Sequence, residues 1–277
     1  MEKELKNLDE NIEKVPSPKV RFEVPTVENE KNIIANFCLK NNPSLDFSSM
    51  VYKRHPKLKK MVEGITDEKQ FREQSDKYVE DYIEENKEII EKAKEDFQKS
   101  WEEVNDKFLT NLSKDFETDL PDEIKEIKAN VSINPMCPRW LDKWTFNLFY
   151  QFSDTRMKKV SIHEIIHFLY FKKWAEVFPD ADKKNFNGMH SEWFLSEILV
   201  HTITNNNKII QDIIKNEKSE VYLKWQDIEV DGKKLPELFE VAYNEHEEGK
   251  ISFADFLKKS WGRYNENKDI IEGEIKK

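Results

Sequence analysis

Glycine and cysteine are scarce in this chain: 6 glycines and 2 cysteines in 277 residues. So few glycines exclude collagen-like and glycine-rich low-complexity architectures. Cys38 and Cys137 stand far apart and form no Cys-x-x-Cys pair, so they read as reduced core thiols rather than a disulfide or a cysteine metal site. No run approaches the eighteen or so apolar residues of a membrane helix. The opening MEKELKNLDENIEK holds neither an apolar signal core nor a cleavage site, which makes the cytoplasm the expected location. Basic excess is missing too. A net charge of −10 argues against nucleic acid as the main partner, because phosphate binding needs a basic face.

What the chain does have is charge and aromatic rings together. Charged residues make up 36%, beside 18 Phe, 8 Tyr and 7 Trp, a balance that predicts a helical protein with a real core rather than a disordered chain. VRFEV reads as a short strand and ENEKNIIANFCLK as a helix stopped by NNP, after a charged, frayed lead-in over residues 1–18. A further helix runs through YKRHPKLKKMVEG, where His55 precedes a proline among basic residues and reads as a solvated loop histidine.

From Thr66 to Phe116 there is no proline or glycine. Apolar residues recur there in steps of three, four and seven, predicting one long helix or two collinear ones. Its stripe carries aromatics where a coiled coil would carry Leu, Ile and Val, which favours packing within the molecule over self-association. DLPDE then breaks the helix, and IKANVSINP and WTFNLFYQF read as strands separated by the turn NPMCPRWLD. EVYLKWQDIEVDGKKLP predicts a hairpin turning at Asp231-Gly232, and ELFEVAYNEHEEG and ISFADFLKKSWGRY predict two helices meeting at Gly249. That junction imitates half a calcium loop through Asn244, His246, Glu248 and Asp255. A histidine at the third position and a short closing acid argue against calcium, and the segment reads as a helix turn. The C-terminal DIIEGEIKK reads as a polar tail.

The stretch Val160 to Phe171, VSIHEIIHFLYF, carries the chemistry. On a helix, residues four apart sit about 40° apart and one turn up the same face, so His163 and His167 can grip one ion. Glu164 is rotated away from that ion but can reach a water beside it, the placement of a general base. The helix is apolar on nearly all sides, hence buried, and a buried carboxylate beside two imidazoles needs partners that a metal supplies. Satisfied core histidines are the rival reading. Downstream, SEWFLSEILVHTIT forms a second amphipathic helix with Glu197 on its buried face, and Pro179 and Gly188 break the chain between the two. His190, Glu192 and His201 compete with Glu197 as third ligand. His190 and Glu192 fall at the helix start, and His201 shares the face of Glu197.

Here the chain resembles the gluzincins, zinc metallopeptidases with two histidines on one helix and a glutamate from the next. The resemblance spans roughly Ile127 to Asn205. The metzincin continuation is absent, since Tyr170 and Lys173 stand where it needs Gly and His. The resemblance implies one Zn2+ per chain held by His163, His167 and Glu197, with Glu164 as general base. It also implies a hydrolase acting on peptide or protein substrates. Where gluzincins keep an acid that orients a ligand histidine, this chain has His201. An oxyanion donor is further implied, for which His201, Tyr243, His246 and Tyr264 are candidates. The expected fold is α+β and mainly helical. A gluzincin-like core would carry a small sheet ahead of the metal helix, with long N-terminal helices packed around it. An N-terminal helical region (1–120) would precede a metallopeptidase-like region (121–277), as two parts or as one compact domain. Two alternatives remain: a non-catalytic, zinc-stabilised helical binding protein, and a di-iron carboxylate protein. The second requires another Glu-x-x-His, and the chain has none.

Overall fold

The computed structural model describes residues 18–39, 46–222 and 225–276. Most of the expected lead-in over 1–18, the stop at 41–43, and residues 223–224 of the expected hairpin lie outside them. The fold is mainly helical with a small mixed sheet. Strand β1 (Lys19–Glu23) comes first, then helices α1 (Val27–Leu39), α2 (Phe47–Arg54) and α3 (Pro56–Val62). The glycine-free stretch forms α4 (Glu68–Glu102) and α5 (Asn105–Asp115). Asp67 caps α4 by accepting the Gln70 N–H, and at 1.5 Å per residue its 35 residues extend roughly 52 Å.

Next come β2 (Glu126–Ser132), the two-residue β3 (Arg139–Trp140) and β4 (Thr145–Phe149). The sheet order is β1-β2-β4-β3, with β1, β2 and β4 parallel and β3 antiparallel at the edge. Because β1 pairs with β2, the sheet draws on both sides of residue 120. The outer edge of β1 does not face water. Asn105 Oδ1 accepts the Val20 N–H, and Gln98 accepts from Phe22 N while donating to Val20 O. Side-chain amides from α4 and α5 thus stand in for a missing strand, the way natural sheets blunt an edge.

Helix α6 (Asp154–Val177) follows, capped by the Ser153 hydroxyl, which accepts the Arg156 N–H. Its core face is walled by Ile162, Ile165, Ile166 and Leu169, each fully buried. Helix α7 (Ser191–Asn206) packs against it, and α8 (Lys208–Ile213) starts from Asn207, which accepts the Ile209 and Ile210 N–H groups. A hairpin of β5 (Glu229–Val230) and β6 (Lys233–Lys234) turns at Asp231 and Gly232, both with positive φ, as an Asp-Gly turn requires. Helices α9 (Glu237–Glu247), α10 (Phe253–Glu266) and α11 (Lys268–Ile275) close the chain.

Two local expectations are corrected. His55 is fully buried rather than solvated, because its ring turns inward while the flanking basic residues stay outside. The C-terminal tail is a packed helix, since Ile271 and Ile275, one turn apart, both reach the core. The Gly249 junction is a helix turn in which Asp255 Oδ2 accepts from the Ser252 hydroxyl. No helix among the described residues is long and apolar enough to cross a membrane.

Candidate metal centre

Adjacent helices bring the predicted residues together. His163 and His167, one turn apart on α6, point their Nε2 atoms at one another at 3.1 Å. Glu197 reaches in from α7, its Oε2 3.4 Å from His163 Nε2 and its Oε1 3.4 Å from His167 Nε2. Ligands held about 2.0–2.1 Å from a tetrahedral ion stand about 3.3 Å from one another, and the three side chains are spaced on that scale, each histidine measured to a different oxygen of Glu197. His163, His167 and Glu197 form the grouping of metal-competent donors present among the described residues. His190 and Glu192, the other candidates for the third position, do not belong to it.

Ordinary hydrogen bonding leaves this cluster unsatisfied. His167 is fully buried, yet its Nδ1 has no partner, and Glu197 Oε2, equally buried, has none either. The His167 ring is held by stacking against Phe171, with ring planes 15° apart. Two imidazole nitrogens and a carboxylate converging in one buried place are a donor set suited to a divalent transition ion, and the orphaned oxygen fits that use.

The titration tendencies follow from burial and crowding. Burial, then the Arg139 charge, pushes His167 down to about 3. Burial also opposes the charge on His163, but the nearness of the Glu197 carboxylate and the charges of Glu164 and Glu197 prevail and raise it. The opposite shifts of the two neighbouring rings favour a proton on His163 over one on His167. For Glu197 burial works upward, but the His167 imidazole and Arg139 hold its carboxyl well below the usual range. Glu164, 5% exposed, is raised, first by burial. Its Oε1 lies 4.0 Å from His163 Nε2.

Three further residues border the centre. His201 on α7 sets its ring 5.3 Å from that of His163 and anchors Nδ1 on Ser219 Oγ at 2.7 Å; burial and the His163 charge keep it neutral. Arg139, from β3, contacts both carboxylates. Tyr222 has its hydroxyl pushed far above the usual range by burial and then by Glu197, with Arg139 opposing. Neither Arg139 nor Tyr222 was legible in the sequence. The first sits in a segment read as a turn, and the second in one read as a hairpin strand.

Hydrogen bonds engage the remaining candidates elsewhere. Tyr243 donates to Asp115 Oδ2 at 2.8 Å. His246 faces two acceptors, Asp115 Oδ1 and Ile251 O, which calls for both ring N–H groups and explains its raised pKa despite burial. Tyr264 donates to Glu272 and stacks on Trp261. Comparison of the chain with family models, curated proteins and solved structures finds no match, so the centre is read from its own geometry.

Proposed function

We propose that this chain is a zinc-dependent hydrolase that cleaves peptide bonds, of gluzincin-like arrangement. The observation that carries the reading is the convergence of His163, His167 and Glu197 at tetrahedral-edge spacing, with Glu164 beside them. Those three residues would hold the ion. When bound, zinc supplies Lewis acidity and brings the pKa of a water down to about 7. Glu164, its pKa raised by burial, takes a proton from the attacking water and returns it to the leaving amine. Two side chains are candidates to donate to the developing oxyanion: His201, whose ring lies 5.3 Å from that of His163, and Tyr222, whose protonated hydroxyl feels the charges of Glu197 and Arg139. Strand β3 is a sheet edge beside the centre, and an extended peptide can add there through main-chain bonds.

The test is a purified chain assayed for zinc and for cleavage of a peptide library, beside Glu164→Gln. One zinc per chain in both proteins is expected, with cleavage by the parent alone and the variant slower by at least 10²-fold. Equal cleavage by both would overturn the assignment of Glu164. A non-catalytic reading has one observation in its favour, the nearness of His201 to His163, since a fourth protein ligand would close the site. Full zinc loading with no cleavage of any library would select it.

A further inference from the structure

Arg139 belongs to no motif, yet its guanidinium is buried against both carboxylates of the centre. Nη1 and Nη2 each lie 3.1 Å from Glu197 Oε1, and Nη1 lies 3.4 Å from Glu164 Oε2. A guanidinium that meets a carboxylate freely settles fork to fork, with one N–H on each oxygen. Here both donors fall on a single oxygen. Each oxygen stands 3.4 Å from one histidine, Oε1 from His167 Nε2 and Oε2 from His163 Nε2, but only Oε2 keeps no hydrogen bond and is free to be offered.

We propose that Arg139 is a positioning residue that occupies Oε1 so that Glu197 offers one oxygen, Oε2, to a divalent cation, while steadying Glu164 in the same grip. The proposal rests on the metal-centre reading above. Its physical basis is the terminal torsion of glutamate, which is broad and roughly two-fold, so that nothing within Glu197 itself chooses which oxygen faces the histidines. One carboxylate oxygen with two imidazoles suits a small four-coordinate ion with a position left open, whereas a carboxylate giving both oxygens suits larger cations such as calcium.

The segment that delivers Arg139 is fixed at its root. Both polar groups of the Ile133 peptide are taken: its N–H donates to Glu30 Oε1, and its C=O accepts from His55 Nε2. Asn134 Oδ1 then accepts the Met136 N–H. Arg139 itself is held as β3, whose partner across the ladder is Phe146. A side chain meant to orient a ligand needs this kind of support.

An electrostatic role and a positioning role predict opposite results. A guanidinium repels a cation, so charge alone says that Arg139→Met should tighten metal binding. Positioning says that it should loosen it. The experiment titrates zinc, against a chromophoric chelator, into the full-length parent, Arg139→Met and Arg139→Lys, and records the visible spectrum of each with cobalt(II). Four-coordinate cobalt absorbs far more strongly than five- or six-coordinate cobalt. The expected result is a 10- to 100-fold loss of zinc affinity in Arg139→Met, together with a weakened cobalt band. Arg139→Lys keeps the charge without the planar fork and should show the same loss. It also decides the matter if Arg139→Met fails to fold by circular dichroism. Unchanged spectra with equal or tighter zinc binding in the variants would overturn the proposal. A parent that binds neither metal would overturn the metal-centre reading itself, and the role of Arg139 with it.

Discussion

Two histidines in this molecule are fully buried and live in opposite chemistry. His55 joins α2 to α3 with both ring nitrogens occupied, Nδ1 2.8 Å from the Tyr78 hydroxyl and Nε2 2.9 Å from the Ile133 carbonyl. A carbonyl can only accept, so Nε2 carries the proton and Tyr78 donates to Nδ1. Burial lowers its pKa, and the ring is neutral. His167 has one nitrogen without a partner and the other aimed at a second imidazole. Burial alone therefore says little about a histidine's task. Completed hydrogen bonding marks the one that serves as structure, and its absence in an equally dry place marks the one held ready for something else.

The sharpest way to break this comparison is to remove each ring. His167→Ala or Glu197→Ala should cost more than about a hundredfold in zinc affinity, beyond the loss typical of an outer partner, with the helical circular dichroism signal retained. His55→Ala should keep its zinc stoichiometry and lose stability. The Tyr78 hydroxyl and the Ile133 carbonyl each forfeit a partner at about 1–3 kcal/mol, so denaturant unfolding should register a total of about 2–6 kcal/mol. A folded His55→Ala protein that bound no zinc would dissolve the distinction.

A somewhat smaller effect is expected at Glu30, which grips the other side of the Ile133 peptide. Its carboxylate accepts from Ser132 Oγ and Ile133 N, but burial dominates and raises its pKa from 4.5 to about 7. Between those values the folded chain holds a proton that the unfolded chain has released. Stability should therefore fall as pH rises from about 4.5 to about 7, by roughly 3 kcal/mol at about 1.4 kcal/mol per unit. Glu30→Gln removes the charge and should unfold at higher urea than the parent at pH 8.5, with the gap closing at pH 4. Parallel urea midpoints for the two proteins across that range would refute the assignment.

The smallest effect belongs to the centre itself. Zinc must replace the proton that His163 holds with its raised pKa, whereas His167 is already neutral. Below the His163 pKa, zinc affinity should climb about tenfold per pH unit, with one proton released per ion, and level off above it. Calorimetry in two buffers of different ionisation enthalpy counts that proton. A count of zero would place the proton elsewhere.

Much of the centre was legible because its signals are local. His163, Glu164 and His167 lie within one helical turn, and the acid at Glu197 interrupts an apolar face that periodicity alone exposes. The strands and the Asp231-Gly232 turn are equally short-range. Arg139 was hidden because β3 is two residues long and falls in a segment rich in proline, where no periodicity can be counted. Tyr222 meets the centre through tertiary folding that no spacing encodes. The break between α4 and α5 has neither glycine nor proline; Trp101 marks it by bonding Asn105 across the gap. His55 misled for a related reason, because its neighbours in sequence are exposed lysines and arginines, while its neighbours in space are Tyr78, Tyr82 and the end of β2. Ile271 and Ile275, by contrast, carried a readable four-residue spacing that the surrounding charge obscured.

The pairing of β1 with β2 joins segments more than a hundred residues apart, with helices α1 to α5 between them. During synthesis the first strand leaves the ribosome long before its neighbour exists, and the sheet cannot begin until β2 has emerged. The amides of Gln98 and Asn105 appear in the chain just ahead of β2. They can dock on the outer edge of β1 first, so that what seals that edge in the finished molecule also covers it in the nascent one and leaves only the inner edge open for β2.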